Sequence, residues 1–257
     1  MRARKRFGQH FLTDSGVLSA IVAAIKPVES DHLLEIGPGH AALTELLYPE
    51  VGDMVAIEID RDLIAMLRAR FDRLRVVNED VLAVDLDQVL GEQRWRLVGN
   101  LPYNISSPLL IKLYGHLAQI RDMHFMFQRE LSQRLAAAPG TKDWGRLSVM
   151  TQYFCNVQPL FDVPPEAFDP PPQVFSQVIR LWPREERTPV DMALFADVLR
   201  MAFSARRKRL SNALKSLELP WDALETHDVL PSQRPDELGV EAYVRIANAL
   251  DQPREKS

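Results

Sequence analysis

Two short stretches carry residue types that do chemistry. The first is Gly37-Pro38-Gly39-His40-Ala41-Ala42, which follows the apolar run His32-Leu33-Leu34-Glu35-Ile36 and opens a helical pattern. Glycines at that spacing allow a tight turn and a close approach of backbone to a ligand. Glu58 ends the next apolar run, about 20 residues on, where a carboxylate can accept both hydroxyls of a ribose. Asp60 shares a strand face with Glu58 and is the alternative acid, although capping the next helix is its simpler role. Asp80, after a third strand, can accept a hydrogen bond from an adenine amino group. A plain helix-capping turn would account for the glycines alone, and a dinucleotide site is the functional rival. Strand, helix and acid in register favour a ligand site at the carboxyl ends of parallel strands. The second stretch, Asn100-Leu101-Pro102-Tyr103, ends a fourth apolar run with an amide, a rigid proline and an aromatic ring.

The elements that must hold these residues follow from periodicity. Val17, Leu18, Ile21, Val22 and Ile25 recur at helical spacing after Asp14 and Ser15, and Pro27 closes that helix. Strands are expected at 32–36, 54–59, 75–77, 97–99 and 123–127, with helices at 41–48, 60–71, 108–117 and 131–138 between or after them. Five alternations of strand and helix indicate a parallel, doubly wound sheet. Two further strand-like runs, 149–157 and 177–182, can form an antiparallel edge pair, which makes a seven-stranded mixed sheet. They flank the proline-rich connector VPPEAFDPPPQVFS. From Asp191 the signals are helical, at 192–203, 207–217 and 236–250. A boundary near residue 185 is therefore expected, with a domain over 1–185 and a small all-helical domain over 186–257. The polar tail from Asp251 is expected to fray.

The chain has 257 residues, 46% hydrophobic and 26% charged, which is ordinary for a soluble globular protein. Its apolar runs are too short to span a membrane, and the basic N-terminus lacks the pattern of a signal peptide. The single cysteine, Cys155, forms no internal disulfide and sits in an apolar run, so a buried structural thiol in a cytoplasmic protein is expected. The net charge of −4 hides two basic clusters. Arg2, Arg4, Lys5 and Arg6 form one. Arg200, Arg206, Arg207, Lys208, Arg209 and Lys215 form the other, with no acid from 198 to 217. Such patches on an acidic background suit a polyanion bound on one face, although two solvated faces would look the same.

The fourth strand's end looks like the signature of amino-group methyltransferases that use S-adenosylmethionine. The exocyclic nitrogen of adenine is a poor nucleophile, because its lone pair is delocalised into the ring. The Asn100 side-chain oxygen and the Leu101 carbonyl can each accept one N–H, which pulls that nitrogen toward tetrahedral geometry. Pro102 fixes the backbone that presents the carbonyl. Tyr103 offers a flat face to an unstacked base. Transfer is then an in-line displacement at a sulfonium methyl, driven by proximity and orientation, with no metal and no covalent intermediate.

The motifs KRFGQHFL, EIGPGHAALT, IEIDRDL, NEDVL, NLPYNISSPLL, MHFMFQRE, GRLSVMTQYFCNV, PPEAFDPPPQVFS and AFSARRKRLSNAL occur in that order. The ordered set resembles the KsgA (RsmA) family of small-subunit rRNA adenine N6,N6-dimethyltransferases over nearly the whole chain. The resemblance implies a Rossmann-like class I S-adenosylmethionine-dependent methyltransferase domain followed by a small helical rRNA-binding domain. It implies that His10, Leu12, Gly37, Glu58, Asp80 and Asn100 line the cofactor site, with Gln9 and Gly39 beside them. Asn100, Leu101, Pro102 and Tyr103 would hold the target adenine, and Phe168 would be a second aromatic against the base; without the resemblance Phe168 reads as a core residue. Arg4, Lys5, Arg6, Arg206, Arg207, Lys208 and Arg209 would contact phosphates of 16S rRNA, within the small subunit or its precursor. The implied products are N6,N6-dimethyladenosine at two adjacent adenosines of a hairpin near the 3′ end and S-adenosyl-L-homocysteine. No metal, no membrane and no second copy of the chain is implied. Two positions depart from the pattern: His10 replaces the usual asparagine, and Phe175 stands where an aspartate is frequent. The rival readings are a large-subunit rRNA adenine methyltransferase of the erythromycin-resistance type, a DNA adenine methyltransferase, an NAD-dependent dehydrogenase and a non-catalytic ribosome-assembly factor.

Overall fold

The computed structural model describes residues 10–251. The expected contacts of Gln9, Arg4, Lys5 and Arg6 lie outside the described residues. The chain divides into two compact units. One holds the described residues up to Ser132 together with Val157–Pro183; the other holds Gln133–Asn156 and the described residues from Arg184.

The first unit is built on strands β1 (Phe11–Leu12), β2 (His32–Ile36), β3 (Asp53–Glu58), β4 (Arg75–Asn78), β5 (Trp95–Asn100), β6 (Ile120–Gln128), β7 (Cys155–Val163), β8 (Phe168–Asp169) and β9 (Ser176–Pro183). Seven form one sheet in the order β4-β3-β2-β5-β6-β9-β7, and β1 pairs with β8 apart from it. The pairings from β4 through β6 are parallel, and β9 runs antiparallel to β6. Strand order reverses between β2 and β5, the switch point where such sheets open a ligand crevice. Pro159 suits β7, the edge strand, because an edge tolerates a missing donor.

Helices α1 (Ser15–Ile25), α2 (Thr44–Leu47), α3 (Arg61–Arg70), α4 (Leu86–Leu90) and α5 (Ser106–Leu113) connect these strands. The Asp14, Asp60 and Asp85 carboxylates accept from backbone N–H groups of the first turn of α1, α3 and α4. Each satisfies donors that the helix leaves unpaired. Leu18, Ile21 and Ile25 of α1 pack with Leu33, Val98 and Met126 in the core on one sheet face. Under α1, Arg96 donates from Nε to Asp122 (2.8 Å), from one terminal nitrogen to Asp31 (2.9 Å) and from the other to the Ile25 carbonyl (2.7 Å). That buried cluster ties the start of β5 to β6 and to the end of α1.

The second unit contains α7 (Arg146–Phe154), α8 (Met192–Ser204), α9 (Leu210–Ala213), α10 (Trp221–Glu225) and α11 (Val240–Asp251); α6 (Arg129–Leu135) leads into it. Trp144, Phe195, Leu199 and Tyr243 form its core. The Trp144 indole N–H donates to the Leu238 carbonyl at 3.0 Å, so the buried ring leaves no donor unpaired.

Several elements differ from the sequence reading. The run 149–157 is helical to Phe154, and its strand starts at Cys155. β-branched and aromatic residues suggest a strand there, but Val149 and Tyr153 sit one helical turn apart and pack with Phe195, so burial overrides propensity. The helix expected at 41–48 shrinks to Thr44–Leu47, because Ala41 takes a φ of 69° in the glycine-rich turn. The helix expected over 207–217 is α9 followed by a separate 3₁₀ turn, Lys215–Leu217. Residues 133–156, read as part of the first domain, group with the second unit; the other crossing, after Pro183, falls near the expected boundary. Cys155 is buried, and burial pushes its thiol up to about 12, which suits an inert thiol.

Candidate active site

A cavity of about 280 Å³ opens at the β2–β5 switch point, and its whole lining belongs to the first unit. Its shape starts with backbone. Gly37 and Gly39 have φ of 68° and 58°, a region that penalises side chains. A Cβ on Gly39 would also sit 3.0 Å from the Phe11 ring. Gly99 has a different function: a Cβ there would lie 2.6 Å from the Ile36 carbonyl, so only glycine lets β5 approach β2 this closely.

Glu58 holds the turn in place. Its Oε1 accepts from the Ile59 and Asp60 amides, each at 2.9 Å, and its Oε2 from the Gly39 amide at 3.3 Å. Burial raises its pKa, and these three bonds offset part of the rise. Asp80 lines the cavity from the loop after β4, and its Oδ1 accepts from Leu82 N at 2.9 Å. Asp60, the alternative acid, is buried as the cap of α3 and is not part of the lining.

The end of β5 forms the opposite wall. Asn100 donates from Nδ2 to the His10 carbonyl at 2.9 Å, which orients the amide and keeps Oδ1 as its acceptor. Leu101, Pro102 and Tyr103 continue the wall. The Tyr103 hydroxyl shares a hydrogen bond with Ser176 Oγ at 3.0 Å, and its ring lies 6.0 Å from the His10 ring, tilted by 26°. The His10 Nδ1–H donates to the Pro170 carbonyl at 2.7 Å, which leaves Nε2 for a ligand. His10, Leu12, Gly37, Gly39, Glu58, Asp80, Asn100, Leu101, Pro102 and Tyr103 thus meet around one cavity.

Phe168 is not on that wall. It is 4% exposed, pairs with Leu12 across the β1–β8 ribbon and packs in the core cluster. The core reading that its sequence context suggested matches its surroundings here. Two polar groups on the wall were missed. Glu35 lies in β2, accepts from Thr44 Oγ1 at 2.6 Å, and has its pKa raised to about 7 by burial. His124 lies in β6, 2% exposed, with neither ring nitrogen hydrogen-bonded; burial lowers its pKa to about 4, so the ring is neutral. The only sequence signal for either was a polar residue inside an apolar strand. Among the described residues no His, Cys, Asp and Glu side chains cluster as metal ligands.

The basic segment of the second unit separates into two kinds of residue. Arg206 donates to the Thr141 and Lys142 carbonyls (2.8 and 2.7 Å) and pairs with Asp236, so it holds its own unit together rather than waiting for a phosphate. Arg207, Lys208 and Arg209 are exposed.

Comparison with known proteins gives the family. The family model for ribosomal RNA adenine dimethylase matches residues 1–252. A curated protein of Coxiella burnetii (strain CbuG_Q212), ribosomal RNA small subunit methyltransferase A, is 49% identical, over 98% of this chain and 99% of its own. Among solved structures, a dimethyladenosine transferase from Plasmodium falciparum superposes with a TM-score of 0.81 at 26% identity, over 94% of this chain and 98% of the other. The 23S rRNA methyltransferase ErmE superposes with a TM-score of 0.72 at 23% identity, over 94% of this chain and all of the other, a likeness of fold.

Proposed function

Because this chain belongs to the ribosomal RNA adenine dimethylase family, we propose that it methylates N6 of two adjacent adenosines near the 3′ end of 16S rRNA, in the small subunit or its precursor. Each adenosine receives two methyl groups from S-adenosylmethionine. The names of the curated relatives support the small-subunit target over the large-subunit one. The observation that carries the reading is Asn100, its amide oriented by the His10 carbonyl, on one cavity with Glu58 and Asp80.

The residues fit an adenosine-bearing methyl donor. Backbone at Gly37 and Gly39 approaches without side chains, Glu58 accepts ribose hydroxyls, and Asp80 accepts from the adenine amine. S-adenosylmethionine supplies an electrophilic methyl on a sulfonium. Asn100 Oδ1 and the Leu101 carbonyl accept the two N–H bonds of the target amine in the first transfer, and one of them accepts the remaining N–H in the second, which aims the lone pair. Tyr103 stacks on the flipped base, held by Ser176. The proton leaves after transfer, so no strong base is needed. Arg207, Lys208 and Arg209 contact phosphates and position the RNA without reading its sequence. A single chain supplies the whole cavity, which suits a monomer, and a ribosomal substrate suits a cytoplasmic protein. Among the described residues no helix is long and apolar enough to cross a membrane.

The test incubates the protein with labelled S-adenosylmethionine and small subunits lacking adenine dimethylation, with large subunits and duplex DNA in parallel. Digestion and mass analysis of nucleosides should give N6,N6-dimethyladenosine from the small subunit alone. Label in the large subunit overturns the target, and no label in any substrate overturns the activity.

A further inference from the structure

We propose that Phe175, with the Arg129 guanidinium against it, is a platform on which the nucleobase beside the target adenine stacks. The inference rests on the rRNA adenine methyltransferase reading and assigns a function to the Phe175 departure.

Val174 and Phe175 are each 45% exposed, two large apolar residues side by side where the proline-rich connector enters β9. The backbone of Phe175 is paired, and a cation lies against its ring. The Phe175 carbonyl accepts from Arg129 N at 3.0 Å, which extends the β6–β9 ladder one step past the Gln128–Ser176 pair. The Arg129 guanidinium carbon lies 5.5 Å from the ring centre, and its NH1 pairs with Asp162 at 3.3 Å, so the cation is held in turn. The next residue, Ser176, is the buried partner of the Tyr103 hydroxyl. Ser176 opens β9 opposite Gln128 at the carboxyl end of β6, the sheet edge on which the cavity opens, and Phe175 is the residue just before it.

An aromatic face with a guanidinium is the surface on which unpaired bases stack, whatever their identity. The reaction creates such a base. With one adenosine flipped into the cavity, its neighbour loses a stacking partner, and a site for that neighbour lowers the cost of flipping. Two adjacent targets make the demand recur, since each adenosine is the neighbour of the other. An aspartate at position 175 would offer no stacking face.

The experiment compares wild type, Phe175→Leu and Phe175→Tyr on small subunits reconstituted with unmethylated rRNA. A second substrate carries an abasic nucleotide in place of one of the two adenosines. Phe175→Leu should raise KM for the subunit on the order of tenfold, with a much smaller change in kcat, and Phe175→Tyr should restore it. The abasic substitution should raise KM for wild type and add little for Phe175→Leu, because the two changes remove the same contact. A KM for Phe175→Leu equal to wild type, or the same abasic penalty in both proteins, overturns the platform while leaving the methyltransferase reading intact. Wild type that leaves the subunits unmethylated overturns both.

Discussion

At the scale of residues, the site works by fixing acceptors. Asn100 is held by the His10 carbonyl, just before β1, so replacing it removes orientation more than affinity. Asn100→Ala should lower kcat by about 100-fold, with S-adenosylmethionine affinity changed far less. Single-turnover rates beside calorimetric titration check this, and unchanged turnover refutes the mechanism. Glu58→Ala should first weaken cofactor binding, about 10- to 100-fold, because it removes the proposed ribose acceptor together with the anchor of the Gly39 amide. Glu35 gives a pH signature. Its folded pKa of about 7 lies above the usual value of 4.5, so the folded state binds the extra proton between those values. Stability from this group is full below pH 4.5 and is lost as pH rises to about 7. Urea unfolding of Glu35→Gln should show a gain over wild type at pH 8 that vanishes near pH 4. His124, with its pKa lowered, pulls the other way on acidification, and comparing the two proteins cancels its contribution.

At the scale of elements, the distance between β2 and β5 decides whether those residues meet. Gly99→Ala forces a Cβ against the Ile36 carbonyl. It should cost about 1–3 kcal/mol in denaturant unfolding and weaken cofactor binding, since the strands bearing the glycine turn and Asn100 must part. At the other end of the same strand, Arg96→Leu leaves Asp122 to Arg180 and Asp31 to Arg121. The expected loss is about 3 kcal/mol, near the low end for breaking a buried pair, because each acid keeps one partner.

At the scale of the whole molecule, two compact units divide the labour: one carries the cavity, the other exposes a basic segment. Replacing Arg207, Lys208 and Arg209 by glutamine should weaken RNA binding and flatten the log Kd against log salt slope by about 2. An unaltered slope would return those residues to a solvated face. Arg206→Gln belongs to a different class. It should destabilise its own unit, by about 1–3 kcal/mol for the two carbonyls and the acid it leaves, whatever the salt.

The sequence by itself determined the parts set by local physics and motif order. Short apolar runs located the parallel strands and helical spacing the helices between them, the aspartate caps marked α1 and α3, and the Gly37–Gly39 turn with Glu58, Asp80 and Asn100 pointed to one crevice. Each of these signals is local, a turn, a cap or the end of one apolar run, and the alternation of strand and helix places them at one sheet edge. Only tertiary structure decided the rest. Val149–Phe154 became helix because Phe195, far along the chain, buries its face. Arg206 turned to carbonyls 64 and 65 residues away, and Glu35 and His124 came onto the cavity wall. Each outcome depends on which distant group supplies the contact, and a local pattern does not carry that.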